Sequence, residues 1–223
     1  YEGNATARSI NNGIDLAGEG GLVWTKSRSH ARNHSLHDSA RGVTCLLKSN
    51  SNTSQYCDAT QISSFNSNGF SIGTDGSSNT NGDEYTSWTF RKAPGFFDVV
   101  TWTGNNTART IAHSLGSVPG CILIKCTSAG FNWRVYHRGA NGGVNPEDYG
   151  LSLNTSAAEA DNATYWNDTL PTSTHFTVGG NSNVNNNGDT YIAYVFAGGE
   201  STAATARSVF FDGDDDRLTF AAT

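Results

Sequence analysis

The chain says nearly the same thing twice. Asn4-Ala5-Thr6-Ala7-Arg8-Ser9-Ile10 returns as Asn105-Asn106-Thr107-Ala108-Arg109-Thr110-Ile111, and Asn81-Gly82-Asp83-Glu84-Tyr85 returns as Asn187-Gly188-Asp189-Thr190-Tyr191. The register holds between these anchors: Phe70 to Gly82 and Phe176 to Gly188 are both 12 residues (82 − 70 and 188 − 176), and Lys26 to Asn33 and Lys125 to Asn132 are both 7. A repeat of roughly 100 residues is too long for a solenoid unit and has the size of a small domain. The sequence therefore divides into residues 1–92, residues 96–197 and an extension over 201–223, with Lys92-Ala93-Pro94-Gly95 and Ala197-Gly198-Gly199-Glu200 as short linkers. Duplication without a duplicated catalytic cluster points to architecture, reach or multivalent contact.

Strand signals dominate each copy. Gly21-Leu22-Val23-Trp24-Thr25-Lys26 and Cys121-Ile122-Leu123-Ile124-Lys125 read as equivalent buried strands. Each is followed by a second short strand, over Asn33–His37 and Asn132–Tyr136. Phe70-Ser71-Ile72 and Phe176-Thr177-Val178 alternate cleanly, and Tyr85–Phe90 and Tyr191–Phe196 close the copies after polar Asn/Gly loops. Phe97 to Thr103 and Thr110 to Ala112 read as an opening hairpin, and Ala157-Ala158-Glu159-Ala160 as a helical turn. The expectation is an all-β chain: two tandem antiparallel β-sandwich domains plus a C-terminal strand extension.

Composition narrows the function classes. Charged residues are only 15% and the net charge is −6, so a phosphate-neutralising surface for nucleic acid is not expected. No apolar stretch approaches a membrane span, so no membrane insertion is expected. The polarity comes from Asn, Ser, Thr and Gly, a mix that suits turn-rich extracellular or virion-surface β proteins. Seven Asn-x-Ser/Thr sequons begin at Asn4, Asn33, Asn52, Asn105, Asn154, Asn162 and Asn167. In so Asn- and Thr-rich a chain about five would arise by chance, so they argue little. Cys45 and Cys57 flank a polar loop and either close a short disulfide or stay as buried thiols. Cys121 and Cys126 are an odd number of residues apart on one strand, so they face opposite sides and should not pair.

Two end effects bear on partners. Copy two opens with a strand from Phe96 to Thr101, whereas the matching part of copy one would precede Tyr1. At the other end, Ser208-Val209-Phe210-Phe211-Asp212-Gly213 and Arg217-Leu218-Thr219-Phe220 read as strands with no domain of their own. Together they point to head-to-tail completion between subunits, with Tyr1, Val209, Phe210, Phe211, Leu218 and Phe220 at the joint. The simpler alternative is that both ends continue into neighbouring domains of a longer fibre.

Several motifs resemble a family as a set. They are Leu22 to Arg28, the Arg-Asn-His-x-Leu-x-Asp-Ser-x-Arg-Gly segment of Arg32 to Gly42, the Phe65 to Phe70 turn, and Asn-Gly-Asp-x-Tyr. This set resembles the repeated uncharacterised domain of marine and freshwater phage tail-fibre-like virion proteins, over most of residues 1 to 200. The tail from Ser208 to Phe220 is similar to the opening hairpin of laminin-G or concanavalin-like sandwiches. The resemblance implies a structural or adsorption role and carries no catalytic residues.

Candidate chemistry is sparse. His34, His37 and Asp38 lie close in sequence, but strand alternation turns His37 away from the other two, and copy two has Trp133, Tyr136 and His137 there. Asp212-Gly213-Asp214-Asp215-Asp216 offers hard oxygens but lacks a calcium loop's spacing and terminal Glu. Neither catalysis, a metal nor a cofactor is expected. Among the tryptophans, Trp24, Trp88 and Trp102 sit on strands read as buried, leaving Trp133 and Trp166, with Tyr165, as candidate glycan contacts. The reading is a non-enzymatic structural protein of an extracellular or virion fibre, built from copies of itself. The alternative is a carbohydrate-binding adhesin that meets a cell-surface glycan.

Overall fold

The computed structural model describes residues 1–199. The first repeat supplies β1 (Arg8–Asn11), β2 (Gly21–Ser27), β3 (Ser35–Asp38), β4 (Cys45–Leu47), β5 (Tyr56–Cys57), β6 (Ile62–Asn66), β7 (Gly69–Ile72) and β8 (Tyr85–Arg91). The second supplies β9 (Phe97–Thr103), β10 (Arg109–Ala112), β11 (Pro119–Cys126), β12 (Arg134–His137), β13 (Tyr149–Gly150), β14 (Ala160–Asp161), β15 (His175–Val178) and β16 (Thr190–Ala197). Single helical turns α1 (Gly76–Asn79), α2 (Ala163–Trp166) and α3 (Ser182–Asn185) join them. All the strand pairs are antiparallel.

Each repeat has a large sheet and a small one, and the second adds the two-stranded ribbon β13-β14. The large sheets run β5-β4-β3-β2-β8 and β12-β11-β16-β9, and the small ones β1-β7-β6 and β10-β15. Alternation along the central strands explains the layering, because successive side chains leave a strand on opposite faces. In β2, Val23 joins an outer core with Leu16, Ile62, Phe70 and Ile72, while Leu22 faces a second core. In β11, Ile122, Ile124 and Cys126 enter the outer core of the second repeat, and Leu123 faces the same second core as Leu22. That second core is shared: Leu22, Leu36 and Leu47 of one repeat pack with Phe97, Val99, Trp133, Ile192 and Tyr194 of the other. Buried on both faces, β11 reads as a near-continuous apolar run.

The tandem pair of antiparallel β repeats expected from the sequence is present, and the two repeats share a core. The boundary at residues 92–96 separates copies in sequence, while the packing crosses it. Trp133 Nε1 donates to Lys48 O at 2.9 Å, and Gln55 N to Thr127 O at 3.0 Å. At the centre, Asp38 Oδ2 accepts from Arg41 Nε at 2.7 Å and from the hydroxyl of Tyr194 at 2.8 Å. Arg41 also donates to Gln55 Oε1 and Leu36 O. Burial works against charge on Arg41, but Tyr194 and Asp38 beside it hold its pKa above the ordinary value. Burial, then the neighbouring Asp38, pushes the Tyr194 phenol well above its own.

The duplicated sequence motifs are duplicated in three dimensions. Asn79 in α1 is fully buried; its Oδ1 accepts from Asn4 N, and its Nδ2 donates to Thr6 O and Gly73 O. Asn185 in α3 does the same for Asn105 N, Thr107 O and Gly179 O. Gly3 and Gly104 lie so close to the turn that a Cβ would stand 2.0 Å from Thr80 O and 2.1 Å from Asn186 O, respectively. The next residues but one, Ala5 (φ 55°) and Asn106 (φ 59°), are both left-handed. Asn tolerates that region and Ala does not. Ala5→Asn is therefore expected to stabilise the fold by about 1 kcal/mol, read as a higher urea midpoint; an unchanged or lower midpoint would refute the strain argument.

Two expected elements differ. Phe97–Thr103 and Thr110–Ala112 do not form a hairpin: β9 pairs with β16 and β10 with β15, in different sheets. The polar turn between them crosses from one layer to the next instead of reversing within one. Ala157 to Ala160 is not helical; the helical turn is α2, whose N-cap Asn162 accepts from Thr164 N. An Asx cap supplied a start signal that the alanine run lacks.

Candidate functional site: the open edge of repeat one

Superposing the repeats by sequence places β16 on β8 and leaves one position unequal. β9 lies along β16 from Phe97↔Phe196 to Thr103↔Thr190. Along β8 the corresponding edge has only Tyr1 and Glu2 beside it among the described residues. These two do occupy the end of the strand position. Tyr1 N donates to Tyr85 O at 2.9 Å and Tyr85 N to Tyr1 O at 2.8 Å, and the rings stack at 5.3 Å. Trp102, the counterpart of Tyr1, stacks on Tyr191 at 5.5 Å. Tyr1 Oη donates to Ser78 O and Trp102 Nε1 to Val184 O, carbonyls at matching places in α1 and α3.

From Thr86 to Arg91 the edge is open among the described residues. The reciprocal Tyr1–Tyr85 pair fixes which backbone groups face outward. In an antiparallel ladder hydrogen-bonded pairs alternate with non-hydrogen-bonded ones, so Ser87, Thr89 and Arg91 direct N–H and C=O away from β2. Beside this edge lies an apolar shelf. Trp88 is 46% exposed and Phe96 49%. Trp24, Trp88 and Phe90 line a cavity of about 220 Å³. Trp24 meets Trp88 edge-on at 6.0 Å, and its Nε1 donates to His34 Nδ1 at 2.8 Å. Burial, then the nearby Lys26, lowers the pKa of His34. Exposed aromatics over an apolar hollow suit a contact surface.

The tryptophan assignment from sequence fails at Trp88, Trp133 and Trp166. Trp133 and Trp166 are 0% and 2% exposed. Trp133 stacks on Tyr194 in the shared core, and Trp166 donates to Tyr149 O and meets Tyr136 edge-on. Tyr165 is buried under the Arg134 guanidinium, 4.6 Å from its ring. None of the three can stack on a sugar from solvent. Trp133 faces the other repeat, and α2 folds Tyr165 and Trp166 inward; neither could be read from a single strand's pattern. Trp102 is in the core as expected, whereas Trp88, also read as buried, is exposed.

The remaining candidates have structural surroundings. Cys45 and Cys57 are Cα partners of β4 and β5, 3.8 Å apart, with their sulfurs bonded. Cys121 and Cys126 are free and lie on opposite faces of β11. His34 and Asp38 are engaged with Trp24 and Arg41, and His37 Nδ1 with Val43 O at 2.8 Å. Lys125, buried with its ammonium on Cys126 O and Ala129 O, has its pKa lowered by burial to about 8. Val209, Phe210, Phe211, Leu218 and Phe220, with Asp212 to Asp216, lie outside the described residues. Among the described residues no helix is long and apolar enough to cross a membrane.

The chain matches a domain of unknown function, DUF7483, at residues 1–96 and again at 93–205. It belongs to this family. The two matches coincide with the two copies and make the chain a tandem pair of DUF7483 domains. No curated protein and no solved structure matches it.

Proposed function

We propose that this DUF7483 pair is a non-enzymatic structural protein of an extracellular or virion fibre, of the phage tail-fibre kind, in which copies join head to tail by strand addition. The observation that carries the reading is the exposed aromatic shelf of Trp24, Trp88 and Phe90 on β2 and β8, with Trp88 46% exposed over an apolar cavity. Strand addition supplies affinity through main-chain hydrogen bonds and specificity through alternate side chains in pockets. A heterologous contact of this kind propagates along an axis instead of closing into a dimer. The low charge and amide-rich surface suit a protein exposed to the environment, and the resemblance of the motifs to tail-fibre-like virion proteins supports the same place.

Electron microscopy of the full chain at rising concentration tests this. Filaments with a regular axial repeat are expected, and Trp88→Asp should abolish them while leaving the circular dichroism of the fold unchanged. Persistent monomers, or filaments unaffected by the substitution, would count against the proposal. A carbohydrate-binding adhesin is the second reading, favoured by the exposed indole of Trp88 over an apolar cavity. A glycan-dependent change in tryptophan fluorescence that disappears in Trp88→Ala would favour it.

A further inference from the structure

We propose that the cavity beside Tyr136 and Glu147 in the second repeat binds a small organic cation, an ammonium head on a short apolar stem. The site is separate from the Trp88 shelf and does not depend on the assembly reading. It comes from a divergence between the two copies. Tyr136 and His37 hold the same place, opposite Ile122 on β11 and Val23 on β2. From there to the next strand the chain runs 8 residues in the first copy (45 − 37, His37 to Cys45) and 13 in the second (149 − 136, Tyr136 to Tyr149). The first copy closes this place, with His37 Nδ1 bonded to Val43 O at 2.8 Å. In the second copy the residue that matches Val43, two before the strand, is Glu147, and the longer segment lines a cavity of about 430 Å³.

The cavity presents two polar groups and an apolar mouth. Glu147 Oε2 is buried with no hydrogen-bond partner among the described residues. Tyr136 also lines the cavity, and its hydroxyl makes no hydrogen bond among the described residues. Burial, then the nearby Glu147, pushes this phenol up to about 12, so it keeps its proton at neutral pH while its oxygen can still accept. A buried carboxylate oxygen without a donor is costly. A group that donates to both oxygens fills the gap between them, and an ammonium carries three donors. Charge selects it over a neutral hydroxyl: desolvation, then the carboxylates of Asp168, Glu147 and Asp161, raises the pKa of Asp148, the mark of a negative neighbourhood. Among the described residues lining the cavity Arg138 is the one cation, and its Nη1 donates to Gly199 O at 3.1 Å. Val118 and Leu170, both 53% exposed, form the mouth with Pro119 and Pro146 and suit a short alkyl stem. Asn141 N donates to both carboxylate oxygens of Glu159, at 3.1 and 3.0 Å, which ties the loop down before a ligand arrives.

Calorimetric titration of the full chain with n-butylammonium tests the site, with 1-butanol as the same stem without the charge. Butylammonium is expected to bind about tenfold more tightly than the alcohol, the gain of an ionised donor over a neutral one on a buried carboxylate. Glu147→Gln keeps the side chain's shape and should remove that preference without lowering the urea midpoint. Tyr136→Phe should weaken butylammonium by about fivefold, the worth of one neutral hydrogen bond. Equal affinity for the amine and the alcohol would overturn the ammonium assignment. Amine binding that survives Glu147→Gln would place the ligand on the outer carboxylates of Asp148, Asp161 and Asp168 and overturn the site. Absence of binding by either probe would overturn it as well.

Discussion

Replacing Asp38 with alanine should destabilise both repeats together, by about 3–5 kcal/mol, since removing one partner of a buried ion pair leaves the other charge uncompensated. Asp38 is fully buried, and Arg41 nearly so, between the two large sheets. The carboxylate also accepts from Ala40 N, Arg41 N and Tyr194 Oη. Its loss therefore orphans donors on both repeats at once. Urea unfolding followed by tryptophan fluorescence and by circular dichroism should show one transition shifted as a unit. Two separate transitions would mean that the shared core does not couple the copies. Tyr194→Phe should cost only about 1 kcal/mol, the net worth of one hydrogen bond. A triple variant replacing Asp38, Arg41 and Tyr194 by apolar residues of similar volume should recover most of the loss.

Acid should weaken the fold through His37 before the carboxylates protonate. His37 is fully buried, and burial pulls its pKa to about 4, with Arg41 lowering it further and Val43 O, Gln61 and Asp38 opposing. The folded pKa lies below the unfolded value of 6.5, so the fold excludes a proton that the unfolded chain binds. Stability is then complete above pH 6.5 and is lost as pH falls towards 4, by about 3 kcal/mol in all. His37→Asn keeps a donor for Val43 O and removes the titration. The difference in urea stability between wild type and variant should fall steeply between pH 6.5 and 4. A difference that stays flat across that window would rule out the buried neutral imidazole.

Much of the secondary structure was readable because the copies check each other. Phe70-Ser71-Ile72 and Phe176-Thr177-Val178 alternate at matching places, and both are strands. Trp88 alternates as a core residue does, so its pattern carries no sign of its 46% exposure.

By itself the sequence determined the duplication, the all-β class and the cysteine pair able to bridge. These depend on spacing, propensity and local hydrogen bonding, all of which act over a few residues and recur in both copies. Only the tertiary structure decided that the copies share a core, that Trp133 and Trp166 are interior while Trp88 is not, and that Asp38, Arg41 and Tyr194 meet. Those outcomes depend on which faces of two sheets are pressed together and how far each extends. A strand's alternation says that a face is apolar; what covers it is set by segments distant in the chain.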